Sequence, residues 1–106
     1  MGGIFSSEQD HEAQMFTAIW QNDLSTVTTL LESGRVSTEI RDPTDNTPLL
    51  WASTYGHVPI VQLLLSKGAD LGAVNEFGNK ALIEASAHGN DKVIPCLLYT
   101  SPSPRD

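Results

Sequence analysis

The sequence predicts an all-α fold made of about three tandem helix-turn-helix repeats. The first observation is an internal repeat: Gly56 and Gly89 lie 33 residues apart, and the residues around them align in that register. The second is that apolar residues recur at i, i+1, i+4 and i+5 in the second helix of each copy, which places them on one helical face. Helices this short are unstable alone, so these faces must be buried between neighbouring copies. We therefore expect a helical solenoid.

Local signals justify each predicted element within the copies. Segment 47–70 aligns with segment 80–98, and a weaker copy lies 34 residues upstream of the first, with a loop insertion in 35–41. Thr47 predicts the start of a first helix, because its hydroxyl can cap free amide groups ahead of a first-turn proline, Pro48. A small residue at one position of every first helix permits close helix packing: Ala18, Ala52 and Ala85.

Composition limits the class of protein. The chain has 106 residues, of which 40% are apolar, and a formal net charge of −7, which suits one small soluble domain. An acidic surface disfavours binding to nucleic acid or to an anionic membrane, since both attract clustered Lys and Arg. The one cysteine, Cys96, excludes an internal disulfide framework and a thiolate zinc site. Because the chain has no apolar leader and no apolar run of about 18 residues, we expect a cytoplasmic protein. We also expect a monomer.

One segment of the chain, Asp42–Val74, carries the motif D-x-x-D-N-T-P-L-L-W-A-S-x-x-G-H-x-x-I-V-x-L-L-L-x-x-G-A-D. This motif resembles an ankyrin repeat, with its TPL, GH, LLL and GAD elements at the spacings typical of that family. Leu50 stands where the family usually has a histidine after TPL, so the turn must rely on contacts other than the usual Thr–His hydrogen bond. Lys80 and Ala81 replace the Thr-Pro pair in the next copy, which weakens the start of that repeat.

The resemblance implies an ankyrin-repeat solenoid with two different ends. It divides the chain into a flexible N-terminal segment, a divergent first repeat, a second repeat, an incomplete third repeat and a non-repeat tail: residues 1–8, 9–41, 42–74, 75–98 and 99–106. The Ser-Pro-Ser-Pro run of the tail cannot continue a helix. The string CLLYTSPSPRD also resembles the translated adapter tails of incomplete transcripts. We therefore expect native sequence to stop near Ile94 or Pro95 and the chain to be the N-terminal piece of a longer repeat protein. A native tail would instead offer Ser101 and Ser103 as phosphorylation sites.

The first residues, MGGIFSS, match the N-myristoylation pattern, with Gly2 after a removable methionine and Ser6 at the required distance. The alternative is a short disordered tail that caps the first repeat. A single myristoyl chain binds membranes only marginally, with a constant on the order of 10⁴ M⁻¹. A second functional hypothesis is therefore a myristoylated adaptor that is weakly attached to membranes and in which the repeats act as a spacer.

No residue pattern indicates catalysis, a metal or a cofactor. The histidines are His11, His57 and His88, and none pairs with another at the H-x-x-x-H spacing of a helical metal site. His57 occupies the GH position, which the resemblance assigns to the turn between helices. Cys96 aligns with Leu63, so we expect a packed thiol rather than a nucleophile. We expect no enzymatic activity.

The resemblance implies binding of another protein on a concave surface formed by hairpin tips and first-helix faces. Contacts are expected at the variable positions of the repeats: Trp20, Gln21, Thr44, Asn46, Thr54, Tyr55, Glu76, Phe77, Asn79 and His88. The aromatic members carry the most weight, because buried aromatic anchors dominate interface energetics. In the alternative reading, Trp20 packs against the N-terminal segment and Phe77 covers the adjacent hairpin. Trp51, which stands in place of a core leucine, is expected in the core. The acidic charge favours a neutral or basic partner.

Overall fold

The protein forms six α-helices over the residues that the structure describes. The computed structural model describes residues 8–99, with side chains for residues 11–98, and this part contains no β-strand. The helices are α1 (Glu8–Trp20), α2 (Leu24–Glu32), α3 (Pro48–Tyr55), α4 (Val58–Ser66), α5 (Ala81–Ala87) and α6 (Ile94–Tyr99).

The helices pair along the chain and stack in two layers. Helices α1, α3 and α5 pack in that order into an inner layer, and α2, α4 and α6 pack into an outer layer. Each inner helix also contacts the outer helix that follows it in the chain. This arrangement confirms the predicted all-α solenoid, in which each pair covers the apolar face of the next. Among the described residues, no helix combines the length and the apolar character that crossing a bilayer requires.

Side-chain caps explain where α2 and α3 begin. The Thr47 hydroxyl accepts a hydrogen bond of 3.2 Å from the backbone N–H of Leu50, as predicted for the start of α3. Lys80, at the same place before α5, offers no capping side-chain bond, which agrees with the weaker start expected there. Asp23 caps α2, and its Oδ2 accepts a 2.7 Å hydrogen bond from the hydroxyl of Thr26.

The core lies between the two layers and consists of apolar side chains at helical spacing. Its fully buried members include Met15, Ile19, Val27, Leu49, Leu50, Ile60, Val61, Leu64 and Val93. Burying one large aliphatic side chain contributes roughly 1.5–3 kcal/mol. Leu50 is only 1% exposed, so the residue that replaces the usual histidine adds an apolar contact to this core. Burial decreases in the third repeat, where Leu98 is 54% exposed.

The prediction that Trp51 lies in the core is wrong in part. Its side chain is only partly buried, and its ring packs between Phe16 and Tyr55 with centroid distances of 5.2 and 5.6 Å. The indole Nε1 lies against Asp42 in the turn that precedes α3. Position 51 therefore faces the turn that precedes α3, and its large ring lies at the edge of the core.

The turn between α3 and α4 is tied to the third repeat by Asn90. Nδ2 of Asn90 donates to the carbonyl oxygens of Ser53 (2.8 Å) and Thr54 (2.6 Å) in the last turn of α3. The Ser53 carbonyl oxygen also accepts from the backbone N–H of Gly56 at 3.3 Å. Gly56 follows at φ 74°, a left-handed conformation that glycine adopts without strain. A Cβ at position 56 would lie 2.8 Å from Oδ1 of Asn90, which is closer than ordinary van der Waals contact.

We predict that Gly56→Ala destabilises the protein more than Gly89→Ala. The two glycines have φ values of 74° and 70°, so both variants carry left-handed strain of about 1 kcal/mol. An added Cβ meets no described atom within 4 Å at Gly89, whereas at Gly56 it displaces Asn90. Losing the hydrogen bonds of Asn90 costs about 1 kcal/mol more. Urea denaturation followed by far-UV circular dichroism measures both free energies of unfolding.

Because Gly56 and Asn90 are in contact, the effects of substituting these two residues should be non-additive. In an Asn90→Ala background the clash is gone, so Gly56→Ala should then cost about as much as Gly89→Ala. Equal losses for the two glycine variants in the presence of Asn90 would contradict the assigned contact.

Candidate protein-binding site

The carboxylate of Asp42 holds a hairpin turn, residues 42–46, against α3. Its Oδ1 accepts hydrogen bonds from the backbone N–H of Thr44 (2.9 Å) and Asn46 (2.8 Å) and from the Thr44 hydroxyl (3.0 Å). Its Oδ2 accepts a 2.6 Å bond from the indole Nε1–H of Trp51. These bonds supply the contacts that the turn needs in place of the usual Thr–His hydrogen bond.

These donors also determine the charge of Asp42. Burial by itself would raise the pKa of the carboxyl group, but the bonds from Asn46 N–H, the Trp51 indole and the hydroxyl and N–H of Thr44 together outweigh it. The pKa of Asp42 therefore lies below its ordinary value, and the group is ionised at neutral pH.

The third repeat holds its hairpin turn, residues 75–79, with donor and acceptor exchanged between the turn and the helix. Asn75 stands 33 residues after Asp42, and its Oδ1 accepts from the backbone N–H of Phe77 (3.0 Å) and Asn79 (3.1 Å). Its Nδ2 donates to Oε2 of Glu84 on α5 at 2.8 Å. The turn residue is thus the donor and the helix residue the acceptor, whereas in the second repeat the turn carries the carboxylate.

The two hairpin turns are joined directly. Nδ2 of Asn75 also donates to Oδ1 of Asn46 at 3.0 Å, and the backbone N–H of Glu76 donates to the carbonyl oxygen of Thr44 at 3.1 Å. A continuous set of hydrogen bonds therefore runs from Trp51 through both turns to α5. This set fixes the spacing of the turns in neighbouring repeats.

A row of rings crosses the second repeat. Phe16 on α1 packs on Trp51, Trp51 packs on Tyr55 at an interplanar angle of 54°, and Tyr55 stacks on His57 with centroids 6.1 Å apart. Phe16 is nearly buried, while Tyr55 is 45% exposed, so the row leads from the core to the surface.

A groove of about 170 Å³ lies between the first hairpin turn and α3. Its lining residues are Asp42, Thr44, Asn46, Trp51, Thr54 and Tyr55. Four of them were predicted as contact positions, whereas Asp42 and Trp51 were not. The signal that could have found the missing pair is an acidic residue at the start of a turn nine positions before a tryptophan on the following helix.

The remaining predicted contact residues lie outside this groove. Trp20 is 56% exposed and Phe77 70% exposed, and Gln21, Glu76 and His88 are also exposed. Asn79 donates through Nδ2 to Glu84 at 3.1 Å, so its amide serves the second turn.

Three sequence predictions concern residues with other roles. His57 lies in the turn between α3 and α4, with its Nε2 3.4 Å from the carbonyl oxygen of Trp20. Cys96 is partly buried against the core, as its alignment with Leu63 predicts. Gly2, the predicted lipidation site, lies outside the described residues. Within the described part of the chain, no cluster of three or more His, Cys, Asp or Glu could hold a metal ion.

We predict that Asp42→Asn costs about 2 kcal/mol of unfolding free energy at pH 7, because the charge and the Trp51 acceptor are lost together. A carboxyl group whose pKa is lowered in the folded state stabilises the protein at pH values above its ordinary pKa of about 3.9. This stabilisation is lost as the pH falls through the pKa of the folded state. The difference from the unmodified chain should therefore shrink below about pH 3.9. Urea denaturation at several pH values measures it.

Asp45→Asn is the matched control, because Asp45 is an exposed carboxylate of the same turn and the change in net charge is equal. It should alter the stability by no more than about 0.5 kcal/mol. A difference for Asp42→Asn that stays constant with pH would contradict the role given to its charge.

Comparisons with known proteins support the repeat architecture seen in the structure. A family model described as "Ankyrin repeats (3 copies)" matches residues 15–106. A probable E3 ubiquitin-protein ligase of Oryza sativa subsp. japonica is 47% identical over 53 residues, which is 50% of this chain and 10% of that protein. Human ankyrin repeat domain-containing protein 13B is 37% identical over 80 residues, which is 76% of this chain and 13% of that protein.

Similarity extends to a solved structure. A chain in the structure of a predatory endopeptidase from Bdellovibrio bacteriovorus in complex with an immunity protein superimposes with a TM-score of 0.78 and 30% identity, over 84% of this chain and 46% of that chain. The chain thus spans only a small part of the curated relatives it matches. Taken with the stacked helix pairs and the hydrogen-bonded hairpin turns, these matches establish that the chain belongs to the ankyrin-repeat family, whose repeats are generally protein-interaction modules.

Proposed function

We propose that the repeats bind another protein through the concave side formed by the hairpin turns and the inner helices. The groove beside Tyr55 is the observation that carries this proposal. A half-exposed aromatic side chain lies there on a support that is fixed by the hydrogen bonds of Asp42 and Asn75. Rigid aromatic contact area favours binding, because little conformational freedom is lost when a partner covers it.

Two further aromatic residues extend the proposed surface. Phe77 lies at the tip of the second hairpin turn, and Trp20 at the end of α1. Both are more than half exposed, at 70% and 56%. Aromatic side chains are enriched among the residues that dominate interface energetics. We therefore keep both in the proposed contact set.

We propose no catalytic role for these repeats. The carboxylates of Asp42 and Glu84 are engaged by internal donors, which suits them to holding the turns. The ligase activity named for the rice relative is that protein's own, and this chain matches 10% of it. The expectations of a monomer, a cytoplasmic location, no nucleic-acid partner and weak membrane attachment through Gly2 stay predictions.

Site-specific photocrosslinking tests the proposed face. A photoreactive phenylalanine analogue placed at position 55 in the full-length protein should crosslink a partner in cells. The same analogue at Ser66, which is exposed on the outer helix α4, should not. The identified partner is then purified for affinity measurements. Tyr55→Ala and Phe77→Ala should each weaken its binding by about 2 kcal/mol, the effect of a central aromatic anchor.

Ser66→Ala serves as the affinity control, and circular dichroism establishes that each variant is folded. Equal crosslinking from positions 55 and 66 would contradict the proposal. Unchanged affinity of the folded Tyr55 and Phe77 variants would also contradict it.

A further inference from the structure

The groove beside Tyr55 has few polar atoms left to offer a ligand. Oδ1 of Asp42 already accepts three hydrogen bonds, and the Thr44 hydroxyl donates to Asp42 and accepts from Nδ2 of Asn46 at 2.8 Å. In contrast, the hydroxyl groups of Thr54 and Tyr55 make no hydrogen bond to another described residue. Two hydroxyl groups are therefore available to a ligand.

The charge of the groove is negative. Asp42 is ionised at neutral pH, and none of the residues that line the groove is basic. The Arg41 guanidinium is nearby, where its Nη1 donates to the carbonyl oxygens of Asp45 (3.0 Å) and Val74 (2.7 Å), but Arg41 does not line the groove. Asp42 is thus the one charged residue among those that line the groove, beside the rings of Trp51 and Tyr55, within a chain whose formal net charge is −7.

The rings of the groove offer carbon surface rather than a donor. The indole N–H of Trp51 is committed to Asp42, and its ring also packs against Phe16 and Tyr55. Tyr55 is 45% exposed, so its ring keeps surface that a ligand can reach. Tryptophan and tyrosine rings attract cations through their quadrupoles. The volume of about 170 Å³ is too small for a drug-sized ligand, which needs about 300 Å³ or more, and it therefore suits a single side chain.

We propose that this groove binds one cationic side chain, a lysine or an arginine, of the partner protein. The proposal rests on the proposed function and adds the chemistry of the contact. The alkyl stem of the side chain lies along Trp51 and Tyr55, and its charged head lies in the field of Asp42 and donates to the hydroxyl groups of Thr54 and Tyr55. A neutral side chain gains only the apolar part of this contact, and an acidic one is repelled.

Amino-acid probes test this chemistry on the protein alone. N-acetyl-arginine amide, N-acetyl-norleucine amide and N-acetyl-glutamate amide are titrated while NMR follows the indole N–H of Trp51. The chain has two tryptophans, so Trp20→Phe assigns the two indole signals. The arginine probe should bind about fivefold tighter than the norleucine probe, the effect of a half-exposed cation–π contact. The glutamate probe should bind more weakly than either, and added salt should weaken only the arginine probe.

Variants at position 55 separate the effect of the aromatic ring from the effect of side-chain size. Tyr55→Leu should abolish the arginine preference, and Tyr55→Phe should keep most of it. Equal binding of the arginine and norleucine probes, tighter binding of glutamate, or no effect of arginine on Trp51 would each overturn the proposal. Crosslinking from position 55 is independent of these titrations. A crosslinked partner together with a failed arginine titration would therefore remove only the cationic assignment.

Discussion

The concave side of the second repeat depends on one partly buried carboxylate. Asp42 joins two parts of the chain: the hairpin turn, through the backbone N–H and the hydroxyl of Thr44, and α3, through the indole of Trp51. Hydrogen bonds to a charged acceptor are stronger than those to a neutral one. This accounts for a turn that stays in place although Leu50 has taken the position of the usual histidine. The wall of the groove is a consequence of the same bonds.

The third repeat performs the same task with exchanged chemistry. Asn75 holds its turn through the amide oxygen and reaches the helix through the amide nitrogen, where Glu84 accepts. Changing one member of a pair alone would place two acceptors or two donors against each other. A glutamate at position 51 beside Asp42, for example, would bring two carboxylates together. In the second and third repeats, the turn residue and the helix residue therefore constrain each other.

The sequence predicted most of the fold because the signals that define it are local. Thr47 caps α3 through a residue three positions away, and the register of Gly56 and Gly89 requires only counting. The candidate site was predicted less well. The bond from Trp51 to Asp42 depends on how a turn folds back over a helix. The spacing of apolar residues, which predicts helices and strands, does not show this. Trp51 was therefore predicted in the core from its alignment with leucine.

The contact residues illustrate the same limit. Variable positions were predicted as contacts, but Asn46 and Asn79 use their side-chain amides to hold the hairpin turns. Exposure separates such residues from Tyr55 and Phe77, and exposure depends on the packing of neighbouring repeats. The structure shows that Tyr55 and Phe77 are exposed, and their role as contacts stays a prediction.

Hydrogen exchange at the two indole N–H groups can decide whether Asp42 holds the turn as described. Trp51 donates to a partly buried carboxylate, whereas Trp20 is 56% exposed and provides an internal reference. We expect the Trp51 indole proton to exchange far more slowly than that of Trp20, and Asp42→Asn to bring its rate close to the reference. Equal exchange rates for the two indoles in the unmodified protein would contradict this description of the turn.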